Sequence, residues 1–287
     1  IGCTGIKALL QNEIEISAVF THKNDIYENI WFKSVSELAS LNNIQVFAPD
    51  EINHPIWVQK IKEFKPDIIF SFYYRRIIKS DILEIPPMGC LNLHGSLLPK
   101  YRGRCPINWM LINGEIHGGV SLHYMTPKPD DGEIITQQEY DILEYDTAKT
   151  LHIKANETSK VILNKILPKI KNGTAKSFPQ DNSKASQFGM RTPEDGEINW
   201  SKSATEINNF IRAISQPYPG SFSYLGKKKC IFWNVKVVKT SIAKDHPGKI
   251  ISTTPFTIAC KRGALIVNVA QEEGGLCMNG NQLVKEL

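Results

Sequence analysis

The 287-residue sequence has no long apolar run, no large charge imbalance and no paired cysteines, and each absence excludes a class of protein. Its apolar runs stay well short of the ~20 residues that cross a membrane, and its first residues lack a signal-peptide pattern. Lys and Arg number 34 against 29 Asp and Glu, and the net charge of +5 is too small to indicate nucleic-acid binding. We therefore expect a cytoplasmic protein that neither inserts into a membrane nor binds nucleic acid.

Neither the cysteines nor the histidines are spaced like metal ligands. The six cysteines contain no CxxC pair, which in a chain of this length indicates reduced, buried thiols rather than disulfides or a zinc site. The histidines outside the motif described below form no i,i+4 pair and no HExxH motif, so no metal is expected. Those histidines are His22, His54, His117, His123, His152 and His246.

Short strands alternate with helices over the first 171 residues of the chain. This alternation predicts βαβ units and an α/β fold with a mostly parallel sheet. The apolar run at residues 67–72 is typical of a strand buried on both faces. The predicted strands of this part are residues 15–20, 45–47, 67–72, 89–94, 119–124 and 133–139, and the predicted helices are 34–41, 56–64, 106–113 and 146–171.

The C-terminal part of the chain differs from the first part in composition and in apolar periodicity. Residues 177–203 are rich in turn-forming and polar residues with little apolar periodicity. After a predicted helix at 204–215, short alternating strands punctuated by Gly and Asn predict a small β-barrel. We predict an α/β domain over residues 1–187, a linker over 188–203 and a β domain over 204–287.

Gly2 and Gly5 open the first predicted helix, as in the turn that follows a strand in a βα unit. That strand is absent from the sequence, and we expect a fragment or an excised domain that lacks it. A phosphate-binding loop is a weaker interpretation, because GxxG without its strand is a weak signal and no GxGxxG is present.

The candidate catalytic residues lie within residues 92–104, where a predicted strand ends in polar side chains. Asn92 and His94 are two residues apart on that strand, so their side chains point to the same face, at the end where open α/β sheets bind ligands. An Asn amide can donate to a developing oxyanion, and a His can move a proton near neutral pH. Arg102 and Arg104 offer guanidinium donors for an anionic or planar ligand.

A candidate carboxylate follows at Asp130, in a loop between two predicted strands. From there it could orient the His94 imidazole and raise its pKa. No serine or cysteine stands in a nucleophile-elbow motif, which favours direct acyl transfer without a covalent enzyme intermediate. Structural interpretations stay open: a hydrogen-bonded core histidine, a turn at residues 130–132 and solvated arginines. These residues alone indicate an α/β enzyme, a transferase.

The string NLHGSLLPKYRG at residues 92–103, with DDG at 130–132, resembles the folate-dependent formyltransferase family. This family includes glycinamide-ribonucleotide, methionyl-tRNA and sugar N-formyltransferases. The resemblance covers nearly the whole chain. It implies a Rossmann-like catalytic domain over residues 1–187 and an OB-like barrel over residues 204–287.

The resemblance also implies the roles of individual residues. Asn92, His94 and Asp130 would be catalytic, and N10-formyltetrahydrofolate would be the formyl donor. The acceptor amine would attack the formyl carbon while His94 moves the proton, Asn92 stabilises the oxyanion and Asp130 raises the pKa of His94. The positions implied to bind folate are Arg76, Ile77, Ile78, Arg104, Thr126, Pro127, Lys128, Pro129 and Asp130.

The acceptor implied by the resemblance is the 4-amino group of UDP-4-amino-4-deoxy-L-arabinose, in lipid A modification and polymyxin resistance. Family members with this activity carry a nicotinamide-dependent decarboxylase domain on the same polypeptide, and no such domain is present in this sequence. The segments that look most like those members are residues 20–22, 48–50, 53–55, 70–75, 189–193 and 219–224.

Other acceptors and a binding role stay open. The acceptor could be another nucleotide-linked amino sugar or methionyl-tRNA, and the chain could be a non-catalytic folate- or nucleotide-binding module. A tRNA enzyme should show a strongly basic surface. Residues 23–33 hold two lysines against one Asp and one Glu, and the three lysines at 227–229 are interpreted as a solvated hairpin tip.

Overall fold

The computed structural model describes residues 1–23, 29–240 and 246–286, and the chain packs into two compact units. The first unit comprises residues 1–106, 117–141 and 153–189. The second comprises residues 107–116, 142–152 and 190–287. The domain boundaries predicted at residues 187 and 204 stay a prediction.

The first unit begins with alternating helices and strands whose starts are set by local capping. The side chain of Ser34 accepts a hydrogen bond from the backbone N–H of Glu37 at 3.1 Å, so the second helix begins at Val35. Strands β1 and β2 pair in parallel, with Ala18 opposite Gln45. The elements are α1 Gly2–Gln11, β1 Ala18–Phe20, α2 Val35–Leu41, β2 Gln45–Phe47 and α3 Pro55–Glu63.

A four-stranded sheet carries the polar motif of the first unit. Its order is β3-β4-β6-β7, in which β3 and β4 are parallel while β6 and β7 extend the sheet in the antiparallel sense. A two-residue strand, β5, pairs in parallel with β8. The elements are β3 Ile69–Phe72, α4 Ser80–Leu83, β4 Cys90–His94, β5 Arg102–Gly103, α5 Pro106–Ile112, β6 His117–Tyr124, β7 Ile134–Asp141, α6 Ala148–Lys171 and β8 Gln187–Phe188.

Strand β4 occupies an interior position in this sheet, which explains its composition. Leu91 and Leu93 are fully buried on one face, so that the alternating Asn92 and His94 point to the other. Parallel pairing of β1 with β2 and of β3 with β4, together with the intervening helices, confirms the predicted α/β fold.

The second unit is built on an antiparallel sheet of order β11-β12-β13-β10-β9, with β14 paired to β13. Its core packs Phe232 and Phe256 of the sheet against Ile207 and Ile211 of α7. Over the described residues the sheet is open, because its edge strands β9 and β11 do not pair with each other. The elements are α7 Ala204–Ile214, β9 Ser221–Leu225, β10 Lys228–Val238, β11 Ile250–Thr253, β12 Phe256–Ala259, β13 Ala264–Glu272, β14 Met278–Asn279 and α8 Gly280–Glu286.

The small β domain predicted for the C-terminal part is therefore present. Helix α7 begins at a capping box, in which Ser203 and Glu206 satisfy each other's backbone N–H groups. Within the ranges that the structure describes, every helix is too short or too polar to traverse a lipid bilayer.

Candidate active site

The first unit brings Asn92 and His94 together with Asp130, which follows more than 30 residues later in the sequence. His94 Nδ1 lies 3.5 Å from Asp130 Oδ1, and Asn92 Nδ2 donates to the same oxygen at 3.3 Å. Asn92 and His94 belong to β4, whereas Asp130 lies in the loop between β6 and β7. The cluster combines an amide, an imidazole and a carboxylate, a set of groups suited to moving a proton and stabilising an oxyanion.

Asp130 is fixed by its backbone as well as by its side chain. Its φ of 54° lies in the left-handed region, and its carbonyl accepts a hydrogen bond from Gln180 Nε2 at 2.9 Å. Its Oδ2 accepts the backbone N–H of Gly103 at 2.8 Å, which leaves Oδ1 to face His94. The loop also requires a glycine at Gly132, because the Tyr124 carbonyl oxygen lies where a Cβ would be placed.

Arg102 packs against the loop that carries Asp130. The prediction that its guanidinium faces a ligand is therefore wrong. Its side chain is buried, and its guanidinium lies 2.7 Å from Asp131 Oδ1. The same guanidinium donates to Gln180 Oε1 at 2.6 Å and to Asn182 Oδ1 at 2.7 Å. Because these partners occupy both ends of the guanidinium, we assign Arg102 to the support of the Asp130 loop.

The hydrogen bonds of His94 determine which of its nitrogens can exchange a proton. Its Nε2 lies 2.7 Å from the Tyr101 carbonyl oxygen, which can only accept, so Nε2 carries a hydrogen. The Ser96 hydroxyl fixes this turn by donating to the Lys100 carbonyl at 2.7 Å. The nitrogen left to gain or lose a proton is Nδ1, on the side of Asp130.

The pKa values of His94 and Asp130 are shifted by burial and by their neighbours. Burial lowers the pKa of His94, and the opposing charge of Asp130 does not restore it. Asp130 acts to raise the pKa of His94, as predicted, but burial has the larger effect and the pKa is lowered overall. For Asp130, burial acts to raise the pKa, but the neighbouring His123 and His94 side chains and the backbone N–H of Gly103 lower it to about 2.

A second buried histidine, His123, joins the cluster, and sequence reasoning missed it. It lies opposite Asn92 in the antiparallel register of β4 and β6. Its Nε2 is 3.2 Å from Asn92 Nδ2 and 3.4 Å from Asp130 Oδ1, and its Nδ1 is 2.7 Å from the Tyr124 carbonyl oxygen. The one signal that could have found it was its position on a predicted strand, but the alternation of strands and helices predicted that strand to run parallel to β4, whereas it runs antiparallel.

The segment Arg76–Ile77–Ile78 follows the carboxyl end of β3, which is parallel to β4, so it lies beyond the same end of the sheet as His94. Arg76 is exposed and Ile77 is 64% exposed, whereas Ile78 packs against the core. Asn53 fixes the segment: its Nδ2 donates to the Ile77 carbonyl at 2.8 Å. An exposed apolar side chain beside a guanidinium at this end of a sheet is suited to a planar ligand.

The other predicted folate-binding residues lie in two places. Arg104 has an exposed side chain, and its backbone N–H donates to the Phe188 carbonyl. In the loop before Asp130, Thr126 Oγ1 donates to the Lys128 carbonyl at 2.8 Å, and Lys128 Nζ lies 3.2 Å from Asp131 Oδ2. Pro127 and Pro129 of this loop are exposed.

Tyr73 supports the turn after His94 and was also missed from sequence. Its φ is 60°, and its hydroxyl lies against the α-carbon side of Gly95, where any Cβ would collide with it. The ranges 1–23, 29–240 and 246–286 contain no group of three or more His, Cys, Asp or Glu side chains that could hold a metal ion.

Two solved structures are similar to this chain along nearly its full length. WlaRD, a sugar 3N-formyl transferase in the presence of dTDP and 5-N-formyl-THF, is 26% identical, with a TM-score of 0.72 over 96% of this chain and 94% of that one. The N-formyltransferase from Helicobacter canadensis, in complex with folinic acid and dTDP-3-aminofucose, is 26% identical, with a TM-score of 0.72 over 92% of this chain and 94% of that one.

Methionyl-tRNA formyltransferase from Clostridium thermocellum has the same fold, with 23% identity and a TM-score of 0.55 over 70% of this chain and 86% of that one. Residues 191–287 match the formyl transferase C-terminal domain. Residues 3–167, more than half of the chain, match the formyl transferase family model. The chain therefore belongs to the formyl transferase family.

Proposed function

We propose that the protein transfers a formyl group from N10-formyltetrahydrofolate to the amino group of a nucleotide-linked sugar in the cytoplasm. The observation that carries the proposal is the buried contact of His94 Nδ1 with Asp130 Oδ1 at 3.5 Å, with Asn92 donating to the same oxygen. This arrangement offers one proton-exchanging nitrogen and one amide donor at the end of β4, as amine acylation requires.

In the proposed reaction the amine nitrogen attacks the formyl carbon and the bond from that carbon to folate N10 breaks. His94 Nδ1 accepts the proton that the amine loses and returns it to N10, so that tetrahydrofolate leaves neutral at that nitrogen. Asn92 donates a hydrogen bond to the oxyanion formed at the formyl oxygen. Asp130 stabilises the imidazolium while it exists. No nucleophilic side chain forms a covalent bond in this scheme.

The folate would lie along the exposed residues beyond β3 and β4. Arg76, Ile77 and Ile78 offer a guanidinium beside apolar surface, and Arg104 adds a second exposed guanidinium. The loop of residues 126–130 reaches the cluster through Asp130. Two similar structures, WlaRD and the Helicobacter canadensis enzyme, hold 5-N-formyl-THF and folinic acid, which supports folate as the formyl donor.

For the acceptor, the proposal is UDP-4-amino-4-deoxy-L-arabinose, used in lipid A modification and polymyxin resistance, with a decarboxylase domain of the same polypeptide as partner. It rests on the resemblance of the segments at residues 20–22, 48–50, 53–55, 70–75, 189–193 and 219–224. A dTDP-linked amino sugar is the closest competitor, because the two similar structures were solved with dTDP and dTDP-3-aminofucose.

Methionyl-tRNA is disfavoured as acceptor by the charges of the β domain. Lys228 Nζ lies 3.1 Å from Glu272 Oε2 and Lys229 Nζ lies 2.6 Å from Glu273 Oε1. Two of the three lysines in the run at 227–229 are thus neutralised by carboxylates, which leaves little charge there for phosphates. The acidic residues counted in the stretch 23–33 lie outside the described residues.

The test is an acceptor panel with N10-formyltetrahydrofolate and the purified protein. The panel contains UDP-4-amino-4-deoxy-L-arabinose, dTDP-3-aminofucose and methionyl-tRNA, with tetrahydrofolate release and product mass as readouts. We expect turnover of the UDP sugar, a loss of about 10²–10⁴-fold in His94→Asn, and wild-type rates in the exposed control His117→Asn. Turnover of methionyl-tRNA alone would overturn the proposal, and full activity in His94→Ala would refute the role of His94. Binding of folate without turnover of any acceptor would identify a binding module.

A further inference from the structure

His123 belongs to the Asn92–His94–Asp130 cluster but takes no part in the transfer chemistry proposed above. Its side chain is 1% exposed, and it contacts both Asn92 and Asp130. Burying an imidazole lowers the stability of the fold unless both ring nitrogens have hydrogen-bond partners. The partners of those nitrogens therefore define what His123 does.

The partners of His123 select one tautomer. The Tyr124 carbonyl oxygen, 2.7 Å from Nδ1, can only accept, so Nδ1 carries a hydrogen. The Asn92 Nδ2 amino group, 3.2 Å from Nε2, can only donate, so Nε2 presents a lone pair. Neutral His123 with its hydrogen on Nδ1 satisfies both contacts at once, and the 3.4 Å approach of Nε2 to Asp130 Oδ1 then shares no hydrogen.

The orientation of the Asn92 amide is set by the same two neighbours. A carboxylate only accepts, so the NH2 end of the amide faces Asp130 Oδ1, at 3.3 Å. The amide is planar, and its two N–H bonds diverge in fixed directions. Once one hydrogen is held by His123 Nε2, the direction of the second is determined.

The second hydrogen of Asn92 shares its acceptor with His94, since His94 Nδ1 lies 3.5 Å from the same Asp130 oxygen. When Nδ1 of His94 takes a proton, the imidazolium becomes the stronger donor to this oxygen. Asn92 and His94 thus meet at one carboxylate oxygen. The amide hydrogen that faces this oxygen keeps its direction because the first hydrogen stays on His123.

We propose that His123 is a positioning residue that anchors one amide hydrogen of Asn92 and thereby holds the amide in the orientation in which its other hydrogen faces Asp130 Oδ1, beside His94 Nδ1. This inference rests on the proposed formyl transfer. It assigns His123 no contact with substrate and no proton transfer of its own. It requires only that Nε2 accept a hydrogen bond from Asn92.

Two variants distinguish the hydrogen bond between Asn92 and His123 from a general packing role of the His123 side chain. His123→Gln places its Oε1 where Nε2 stood, three bonds from Cβ, whereas His123→Asn is shorter and cannot reach Asn92. We expect His123→Gln to keep most of the wild-type kcat and His123→Asn to lose about 10–100-fold, with KM for both substrates little changed. Equal losses in both variants would overturn the proposal.

A double-mutant cycle adds a readout that a packing role would not move. If His123 acts through Asn92, then His123→Asn costs kcat little or nothing further once Asn92→Ala has removed the amide. An additive loss in the double variant would contradict the anchor. Thermal unfolding of each variant checks that the fold is retained.

The tautomers supply a readout that does not depend on activity. In 15N-histidine NMR at about pH 8, we expect His123 with its hydrogen on Nδ1 and His94 with its hydrogen on Nε2, assigned by the signals missing in His123→Gln and His94→Asn. An Nε2–H tautomer for His123 would overturn the anchor even in an active enzyme. Absent transfer activity with the expected tautomers would instead refute the proposed function.

Discussion

The carboxylate of Asp130 accepts the backbone N–H of Gly103 at 2.8 Å, which ties the loop before β7 to the short strand β5. This hydrogen bond occupies Oδ2 and turns Oδ1 toward His94 and Asn92. Because a backbone N–H cannot rotate away as a side chain can, Asp130 is fixed by a rigid partner before any substrate arrives. The negative charge of Asp130 is therefore held in its working position before substrate binds.

The acid sensitivity of the fold should depend on Asp130. Its pKa falls from the usual 3.8 to about 2, so the folded state binds the proton more weakly than the unfolded state does. Its contribution to the free energy of unfolding, about 2 kcal/mol, is present above pH 4 and is lost as the pH falls toward 2. Denaturant unfolding of wild type and Asp130→Asn across this range measures it. If the free energy of unfolding changes equally with pH in both proteins, this assignment is refuted.

The pH dependence of activity should report the lowered pKa of His94. Burial favours the neutral imidazole, which is the form that accepts the proton of the amine. We therefore expect the acid limb of kcat/KM to lie below the ordinary histidine pKa of about 6.5. A limb above that value would show that the charge of Asp130 outweighs burial in the working enzyme.

Arg102 and Arg104 offer a matched comparison, because they are two residues apart and one is buried while the other is exposed. Arg102→Ala removes the buried guanidinium that contacts Asp131 and Gln180 and should cost about 3 kcal/mol of unfolding free energy. Arg104→Ala should stay within about 0.5 kcal/mol of wild type, while raising KM for the folate. Similar stability in both variants would contradict the supporting role of Arg102.

Gly132 should tolerate no side chain. In Gly132→Ala the new Cβ meets the Tyr124 carbonyl, which displaces the loop carrying Asp130, and we expect a cost on the order of 1–3 kcal/mol together with reduced kcat. Gly189→Ala is the control, because nothing lies within 4 Å of the added Cβ there. Wild-type kcat in Gly132→Ala would show that the position of Asp130 does not limit the reaction.

Local signals in the sequence predict the elements well. Strand β2 has the predicted bounds, Gln45–Phe47, because its apolar residues and the flanking turns specify it. Ser34 and Ser203 mark helix starts by capping. The period of two in a strand also predicts that Asn92 and His94 share a face.

Contacts between distant segments are what the sequence could not predict. His123 was missed because its pairing with Asn92 depends on β6 running antiparallel to β4, whereas the alternation of strands and helices predicted a parallel neighbour. Arg102 was assigned to a ligand because its true partners, Gln180 and Asn182, follow some 80 residues later. Hydrophobic periodicity carries no information on such pairings.

The role of His94 is tested most directly by measuring formyl transfer from N10-formyltetrahydrofolate to a nucleotide-linked amino sugar in wild type and in His94→Asn, with substrate binding measured in both. We expect wild type to form the N-formyl sugar with release of tetrahydrofolate. We expect the variant to bind both substrates and to lose about 10²–10⁴-fold in kcat. An undiminished kcat in the variant would contradict the assignment of proton transfer to His94.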